Sequence, residues 1–325
     1  MRWILSLIVV VFFLYSAMPN ISWPVTEETG TVLVFFCPET DCMALFSSVM
    51  RQAKQSIHCA LYDLSEEMLP VFDQRSLDIA LIYDARNKLP QRKYLHPKKG
   101  NALSHNKFCV IDNQFVWTGS FNPTARENHN DVLLISSKAL AENYEAEFQE
   151  LRTGKSAPTP HPIIKTPTFT LENAFCPDDS CEQKVIAALE QAKTSVYIMA
   201  FSFTHPALAQ LLVKKKQEGV DVRVLLEARQ VDEHSTYGFL KGKLPVKASN
   251  DAGLLHNKVF IIDNATIVTG SANPTKNGYF HNDENILILQ SPVKAQQYAY
   301  HFFELWNHVP VLREKTNKQA QSTGD

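Results

Sequence analysis

Short apolar runs alternate with amphipathic segments along most of the chain. The runs within 77–86 and 220–229 have the length and β-branched content of buried strands. In contrast, Val185, Ile186 and Leu189 recur at the spacing of one buried helix face. Each half of the chain is predicted to run strand, helix, strand, helix, strand, then a strand hairpin and a closing helix. This alternation predicts the α/β fold class.

The pattern repeats once. Residues 36–42 return at 175–181, an offset of 139 residues, and the offset grows to 143 between 77–86 and 220–229. Because the offset only grows, the second half is expected to carry extra loop residues and no rearrangement.

The repeat divides the chain into two similar halves, at 31–152 and 169–312. A Pro-rich polar linker at 153–168 connects them, and the polar segment 313–325 is predicted to be a disordered tail. A hydrophobic content of 45% predicts a sizeable core.

The N-terminal residues 1–23 carry an apolar run behind a positive charge at Arg2. Its length fits a signal peptide, but the cleavage pattern is poor, so a membrane anchor fits equally well. Either alternative predicts export, with the protein secreted or periplasmic after cleavage and membrane-anchored otherwise. A net charge of −2 gives no global basic surface, so any polyanion must be bound locally.

Each half has the pattern H-x-K-x4-D on one apolar strand: His105, Lys107 and Asp112, then His256, Lys258 and Asp263. Residues two apart on a strand share a face, so each His and Lys should project into one pocket. A returning strand then brings back the segment G-S-x-N, with Ser120 and Asn122 or Ser271 and Asn273. An ammonium, a hydroxyl and an amide suit phosphate, and a histidine can attack or transfer a proton. Two copies at identical spacing argue against chance.

The doubled pattern H-x-K-x4-D-x6-G-S-x-N resembles the phospholipase D superfamily from about residue 31 to residue 312. The resemblance implies two similar α/β/α halves with mixed sheets, related by a pseudo-twofold axis, with the active site at their interface. Such a chain would work as a monomer with an internal pseudo-dimer. The resemblance also implies a phosphodiesterase that forms a phosphohistidine without a metal or another cofactor.

The resemblance also implies a role for each motif residue. His105 is expected to attack phosphorus, and His256 to protonate the leaving oxygen and then activate water or an alcohol. The remaining polar groups are expected to bind the phosphoryl group: Lys107, Lys258, Ser120, Ser271, Asn122 and Asn273. Asp112 and Asp263 are expected to organise the site without reacting.

Members of the superfamily often place a glutamate after the G-S segment to orient a catalytic histidine. Glu284 fits this position, whereas alignment of the following strands puts Asn130 at the equivalent place in the first half. The two histidines should therefore differ chemically, and the histidine served by Glu284 should be the more basic.

Four cysteines form two C-x4-C pairs at equivalent repeat positions, Cys37/Cys42 and Cys176/Cys181. In an exported chain this spacing predicts local disulfides, with a four-cysteine zinc site and free thiols as alternatives. Cys59 and Cys109 lie in apolar strand segments and are expected to be buried, unreactive core residues.

The shared motif does not separate nucleases from phospholipases. Compact halves without an added lipid-targeting domain favour a metal-independent endonuclease, and Arg86 with the basic segment 91–99 and Tyr94 could line a nucleic-acid groove. The chain also resembles mitochondrial cardiolipin hydrolases and their bacterial nuclease relatives. Its apolar N-terminus supports the alternative, a phospholipase D, cardiolipin hydrolase or phosphatidyltransferase that acts on membrane phospholipids.

Overall fold

A computed structural model describes residues 24–73, 76–156 and 158–309 of the chain. The predicted signal or anchor at 1–23 and the predicted tail at 313–325 lie outside these ranges. Within them, no helix combines the length and the apolar character that a membrane span requires.

The first half folds into one mixed sheet flanked by helices. Its elements are β1 (Val25–Glu27), β2 (Thr31–Cys37), α1 (Cys42–Gln52), β3 (Ser56–Leu61), a 3-10 helix (Glu66–Val71), β4 (Asp78–Asp84), β5 (Leu95–Lys98), β6 (Lys107–Ile111), β7 (Phe115–Gly119), β8 (Asn130–Ser136) and α2 (Lys138–Thr153). Seven of these strands form the sheet of the first half, in the order β2-β8-β7-β6-β3-β4-β5, and β1 joins the sheet of the second half. The β3-β4 and β4-β5 pairs are parallel and the other pairs are antiparallel.

The second half repeats this order with more elements. They are β9 (Ile163–Lys165), β10 (Thr170–Cys176), α3 (Cys181–Glu190), β11 (Ser195–Ala200), α4 (Pro206–Gln217), β12 (Asp221–Glu227), a 3-10 helix (Ala228–Gln230), α5 (Tyr237–Leu240), β13 (Val246–Ser249), β14 (Lys258–Ile262), β15 (Thr266–Gly270), α6 (Lys276–Phe280), β16 (Glu284–Gln290) and α7 (Pro292–His308). The sheet order is β1-β9-β10-β16-β15-β14-β11-β12-β13. From β10 to β13 it matches the first sheet strand for strand, so the predicted duplicated mixed-sheet fold is confirmed.

The predicted linker is partly structured. Strand β9 lies inside 153–168 and pairs with both β1 and β10, which adds two strands to the second sheet. Ile164 is buried there because it packs into the central core cluster. The connection is therefore anchored to the second half.

The two halves share one central core. A single cluster of buried apolar residues includes Phe108 and Val110 of β6, Tyr144 of α2, Val259 of β14 and Phe302 of α7. The helices α2 and α7 thus pack together with both sheets, while the core beneath α1 and the core beneath α3 and α4 are separate clusters. Because apolar burial joins the halves, they hold a fixed relation at the motif strands.

Two tight hairpins bring the G-S-x-N segments to the ends of the motif strands. Asp112 and Asn113 have φ angles of 54° and 51°, and Asp263 and Asn264 have 53° and 49°, as the two-residue turn between right-twisted strands requires. Gly119 has a φ of 131°, and an added Cβ would lie 2.3 Å from the carbonyl oxygen of Asp131. Glycine therefore permits the close strand approach that follows the turn.

Candidate active site

The two motifs meet in one cavity of about 600 Å³ between the halves. Both motif histidines line it, together with residues from equivalent positions of the repeat: Tyr62, Leu103, Asn122 and Thr124 of the first half, and Phe201, Leu254, Asn273 and Thr275 of the second. The cavity walls therefore follow the pseudo-twofold relation of the sequence.

His105 is held by residues of the other half. Its backbone N–H donates to the carbonyl of Asp283 at 2.9 Å, and the N–H of Asp283 donates to the carbonyl of Leu103 at 2.9 Å. The next residue, Glu284, is fully buried, and its carboxylate oxygens lie 2.7 and 2.8 Å from Nδ1 of His105. Glu284 also accepts a hydrogen bond from Asn282 at 3.2 Å. These bonds fix the imidazole and leave Nε2 for the substrate.

His256 is held by the matching arrangement with a different side chain. The N–H of His129 donates to the carbonyl of Leu254 at 2.8 Å, and the N–H of His256 donates to the carbonyl of His129 at 2.9 Å. Nδ1 of His256 lies 2.9 Å from Oδ1 of Asn130. Because the amide nitrogen of Asn130 donates to the carbonyl of Asn128 at 3.1 Å, its oxygen is the acceptor for His256. One histidine therefore has a carboxylate partner and the other a neutral amide.

Both motif lysines are buried beside the histidines. Nζ of Lys107 donates to the carbonyl of His105 at 2.8 Å, and Nζ of Lys258 donates to the carbonyl of His256. Burial lowers the pKa of Lys107 to about 7, against the opposing attraction of the Glu284 carboxylate. Burial, together with the charge of Lys107, also lowers the pKa of Lys258. An anionic ligand would reverse these shifts, which makes the site selective for a bound anion.

The histidines and Glu284 have shifted pKa values for the same reasons. Burial, followed by the charges of the two lysines, lowers the pKa of both His105 and His256 well below 6.5. Burial raises the pKa of Glu284 to about 8. A neutral imidazole can act as a nucleophile or as a base, and the lowered pKa values favour this form of both histidines.

Two aromatic residues that the motif analysis did not identify cover the histidines. The ring centroid of Tyr62 lies 4.8 Å from that of His105, and the ring centroid of Phe201 lies 5.0 Å from that of His256. Each aromatic centroid also lies 5.3 Å from the ammonium group of the motif lysine in its own half, within the range of a cation–π contact. Their common offset of 139 residues was the sequence signal that could have revealed them.

The G-S-x-N residues divide into two groups. Asn122 and Asn273 line the cavity, and their buried Oδ1 atoms have no hydrogen-bond partner within the described residues. Ser120 and Ser271 are fully buried and bond to the next strand, where Ser120 Oγ donates to Asp131 at 2.9 Å and Ser271 Oγ accepts the N–H of Asn285 at 2.9 Å. The two serines therefore stabilise the strand contact and do not line the cavity.

The motif aspartates lie at the far end of their strands from the histidines. Asp112 accepts the backbone N–H groups of Lys54, Gln55 and Ser56 at 2.7 to 3.0 Å. Asp263 binds the equivalent turn through three N–H groups at 2.7 to 3.1 Å. These carboxylates fix the motif strand to its neighbour and do not reach the cavity.

Two further buried acids, absent from the motif analysis, position the segments before the histidines. Asp84 and Glu227 each accept the backbone N–H of the residue preceding the motif histidine, at 2.9 and 2.7 Å. Each also pairs with an arginine two residues later, Arg86 at 2.7 Å and Arg229 at 3.0 Å. Arg86 also donates to the carbonyl of Asn101, so it holds the loop and is not part of a nucleic-acid groove.

The expected basic groove before His105 is not formed. The hydroxyl of Tyr94 donates to Asp73 at 2.7 Å, and Arg92 pairs with Asp73 at 3.2 Å. Lys98 forms an ion pair with Asp283 of the second half at 2.7 Å. None of these side chains lines the cavity between the histidines.

All six cysteines form disulfides: Cys37–Cys42, Cys176–Cys181 and Cys59–Cys109. The first two are the expected local pairs, and they leave no thiolates for the alternative zinc site. The third corrects the expectation that Cys59 and Cys109 are unreactive core thiols, because these residues are direct cross-strand partners on β3 and β6. In the described part of the chain, no group of three His, Cys, Asp or Glu side chains could hold a metal ion.

Comparison with known proteins defines the class. The family model described as "Cardiolipin synthase, PLD-like domain" matches residues 47–152 and 185–306. The chain therefore belongs to the family of phospholipase D-like proteins, as the doubled motif predicted.

Comparison with individual relatives defines the class of activity more closely, as that of a phosphodiesterase. A phospholipase D from Rickettsia prowazekii (strain Madrid E) is 27% identical over 202 residues, which cover 61% of this chain and 93% of the relative. A mitochondrial cardiolipin hydrolase from Xenopus tropicalis is 29% identical over 195 residues, which cover 57% of this chain and 93% of the relative. The crystal structure of phosphatidylserine synthase from Haemophilus influenzae Rd KW20 shares the fold, with a TM-score of 0.65 over 87% of this chain and 88% of that one at 13% identity. The chain is a phosphodiesterase of the hydrolase class.

Proposed function

We propose that this chain is a metal-independent endonuclease that hydrolyses phosphodiester bonds through a phosphohistidine on His105. The observation that carries the proposal is the unequal pair of partners, a carboxylate at His105 and a neutral amide at His256, on the two sides of one polar cavity.

In the first step, Nε2 of neutral His105 attacks phosphorus and the bond from phosphorus to the leaving oxygen breaks. The bound phosphodiester anion opposes the effects that lower the pKa of His256, so His256 holds a proton on Nε2 in the complex and gives it to that oxygen. The imidazole of His105 becomes positive as the bond forms. This charge favours the ionised form of buried Glu284, whose carboxylate at Nδ1 then stabilises it. Asn130 offers His256 no such charge, which favours release of the proton.

In the second step, neutral His256 accepts a proton from water, and the resulting hydroxide attacks phosphorus. The bond from phosphorus to His105 breaks, which returns both histidines to their starting protonation states. The amides of Asn122 and Asn273 line the cavity and supply donors for the phosphoryl oxygens. Lys107 and Lys258, buried beside the histidines, add positive charge.

The cavity lining supports a hydrophilic substrate. Beyond the motif residues it presents mainly amides and hydroxyls: Ser202, Thr124, Thr204, Thr275, Asn128, Asn277, Asn282 and Gln230. These groups suit sugar and phosphate oxygens, whereas an acyl chain would leave them without partners. The second candidate substrate is a phospholipid, which the names of the phospholipase D and cardiolipin hydrolase relatives favour.

Export of the protein belongs to the same proposal. Disulfides persist in oxidising compartments, and the described residues contain three of them. The apolar run in 1–23 supports export independently.

The test is an assay of the purified full chain in EDTA on single-stranded DNA, duplex DNA, and vesicles of phosphatidylcholine or cardiolipin. The variants His105→Ala and His256→Ala serve as controls. Histidine-dependent cutting of DNA is the expected result. Histidine-dependent release of phosphatidic acid without DNA cutting would replace the nuclease with the lipid hydrolase, and no turnover on either would favour a binding function.

A quench experiment tests the assigned roles. His256→Ala should accumulate labelled phosphate on the protein, because attack by His105 can proceed on a substrate with a good leaving group while hydrolysis is slowed. His105→Ala should carry no label, and the reverse pattern would exchange the two roles.

A further inference from the structure

A second cavity, of about 290 Å³, adjoins the active-site cavity on the first half. It lies between the disulfide loop at Cys37 and Cys42 and the loop that follows the first G-S-x-N segment. Thr124, Arg126 and Asn128 line both cavities. A substrate that leaves the central cavity past these three side chains would therefore enter the second one.

The lining of this second cavity combines apolar surface with a cation. The apolar surface comes from Pro38, Met43 and Phe121. Arg126, at the boundary, has a 71% exposed side chain and only a long contact of 3.9 Å to Asp63, so its guanidinium is available to a ligand. The two carboxylates at the rim, Asp41 and Glu127, are exposed and therefore screened by solvent.

The second half has a helix at the equivalent place. Helix α6 follows Thr275, packs against β10 and buries Tyr279 in the same apolar cluster as Cys176 and Cys181. The corresponding loop of the first half, from Thr124 to β8, is shorter and has no helix. Helix α6 thus fills this space in the second half. The equivalent space in the first half stays open as the second cavity.

We propose that this second cavity is a subsite for a nucleoside unit of the substrate strand, and that Arg126 binds the phosphate between this unit and the scissile bond. The proposal rests on the nuclease function proposed above. A guanidinium can hold two phosphate oxygens at once, and the faces of a sugar and a base can pack on the exposed Pro38 and the half-buried Met43. Since only the first half has the open space, a strand would extend over that half in one direction.

The test compares three substrates in EDTA: bis(p-nitrophenyl) phosphate, a dinucleotide, and a single-stranded oligonucleotide of about eight nucleotides. Two variants of the full chain address the subsite. Arg126→Gln removes the charge, and Ala125→Trp places a bulky side chain on an exposed position of the cavity lining. Arg92→Gln is the matched control, because Arg92 also pairs with a surface aspartate of the first half but lines neither cavity.

Both subsite variants should lower kcat/KM on the oligonucleotide by about tenfold, the loss expected for one partly exposed charged contact to phosphate. Turnover of bis(p-nitrophenyl) phosphate by Ala125→Trp should stay within about twofold of the unmodified chain, since that substrate needs only the central cavity and Ala125 lines only the second one. Arg126→Gln should also reduce the slope of log kcat/KM against log salt by about one. Arg92→Gln should match the unmodified chain throughout.

Two results would overturn the proposal in distinguishable ways. If the subsite variants keep the full preference for the oligonucleotide over the dinucleotide, the second cavity is not a subsite, whereas the nuclease function stands. If the unmodified chain turns over bis(p-nitrophenyl) phosphate but cuts no oligonucleotide, the nuclease function fails and the nucleoside assignment fails with it. Unchanged melting temperatures would exclude misfolding as the cause of any loss.

Discussion

At the residue scale, Glu284 and Asn130 occupy equivalent positions but present different charges to the histidines. A carboxylate at Nδ1 fixes the tautomer and stabilises the imidazolium that forms during attack. An amide oxygen fixes the tautomer alone. In the proposed mechanism, this difference of one formal charge separates the attacking histidine from the proton donor.

Replacing Glu284 by glutamine should preserve shape and remove the charge. We expect kcat on bis(p-nitrophenyl) phosphate to fall by about 10²- to 10⁴-fold, because the tautomer is no longer specified and the imidazolium loses its partner. Single-turnover kinetics measure the effect. Glu145→Gln is the matched control, since Glu145 binds Nδ1 of the non-catalytic His58 at 2.8 Å. Equal rates for the two variants would contradict the assigned role.

The two imidazoles should titrate differently. Burial and the motif lysines lower both histidine pKa values below 6.5, and the nearby carboxylate should leave that of His105 above that of His256. In the protein without substrate, the order of protonation as the pH falls is therefore His105 first, then His256. NMR titration of the imidazole resonances measures it, and Asn130→Asp should raise the value for His256. Equal pKa values for the two histidines in the unmodified chain would contradict the predicted difference between them.

The ring of Tyr62 should support both the histidine and the lysine beneath it. Tyr62→Leu removes the cation–π contact with Lys107, so the ammonium should lose its proton at lower pH and the basic limb of kcat/KM should move down by about 0.4 to 1.5 units. Tyr62→Phe should restore the profile. Phe239→Leu breaks a surface pair with Lys243 at 3.8 Å and is the control. A basic limb that does not move in Tyr62→Leu would assign the ring to packing alone.

The motif analysis identified the groups that are close together in sequence and missed those that depend on strand neighbours. His105, Lys107 and Asn122 follow from one strand and its hairpin. Tyr62 lies at the end of β3, which pairs with β6 only after a long crossover. The bonds of Ser120 and Ser271 to the neighbouring strand were not predicted, because spacing places a side chain on a strand without indicating which atoms its hydroxyl will contact.

At the element scale, the hairpins and the short bridges between halves position the chemistry. Each motif histidine is preceded by a segment that pairs with the other half, Ser104 with Asp283 and Leu255 with His129. The sequence repeat predicted the strands of the second half but not the structure of its extra loop residues. The growing repeat offset indicated extra residues in the second half, but not that they form α5 and α6, because short helices depend on local packing more than on pattern.

Gly119→Ala should destabilise the fold by about 2 kcal/mol or more, because the added Cβ meets a backbone oxygen and the positive φ is unfavourable for alanine. Gly154→Ala provides the contrast, since Gly154 also has a positive φ of 70° but nothing lies within 4 Å of the added atom. Urea unfolding measures both. A cost for Gly119→Ala no larger than that for Gly154→Ala would show that the close strand approach can relax.

At the scale of the whole molecule, one chain supplies both histidines and both orienting groups, and each half orients the histidine of the other. The duplicated α/β fold was predictable because the repeat spans nearly the whole chain. The shared core and the orientation of each histidine by the other half were not predictable, because sequence periodicity does not indicate which half contacts which.

Mixing His105→Ala with His256→Ala should restore no activity, because the surviving histidines lie in different chains and each cavity keeps one defect. Turnover of bis(p-nitrophenyl) phosphate by the mixture, compared with each variant alone, provides the measurement. Recovery on incubation would reveal chains that exchange halves, and the single-chain site would have to be abandoned.

The placement of Glu284 and Asn130 in one polypeptide also bears on how such a site can change over time. In a symmetric assembly of identical chains, every substitution occurs twice, so the two histidines must remain equivalent. Fusion of the halves removes that constraint, because positions 130 and 284 are encoded separately. A single substitution at either position can then make the reaction directional, so that one histidine always attacks and the other always donates the proton.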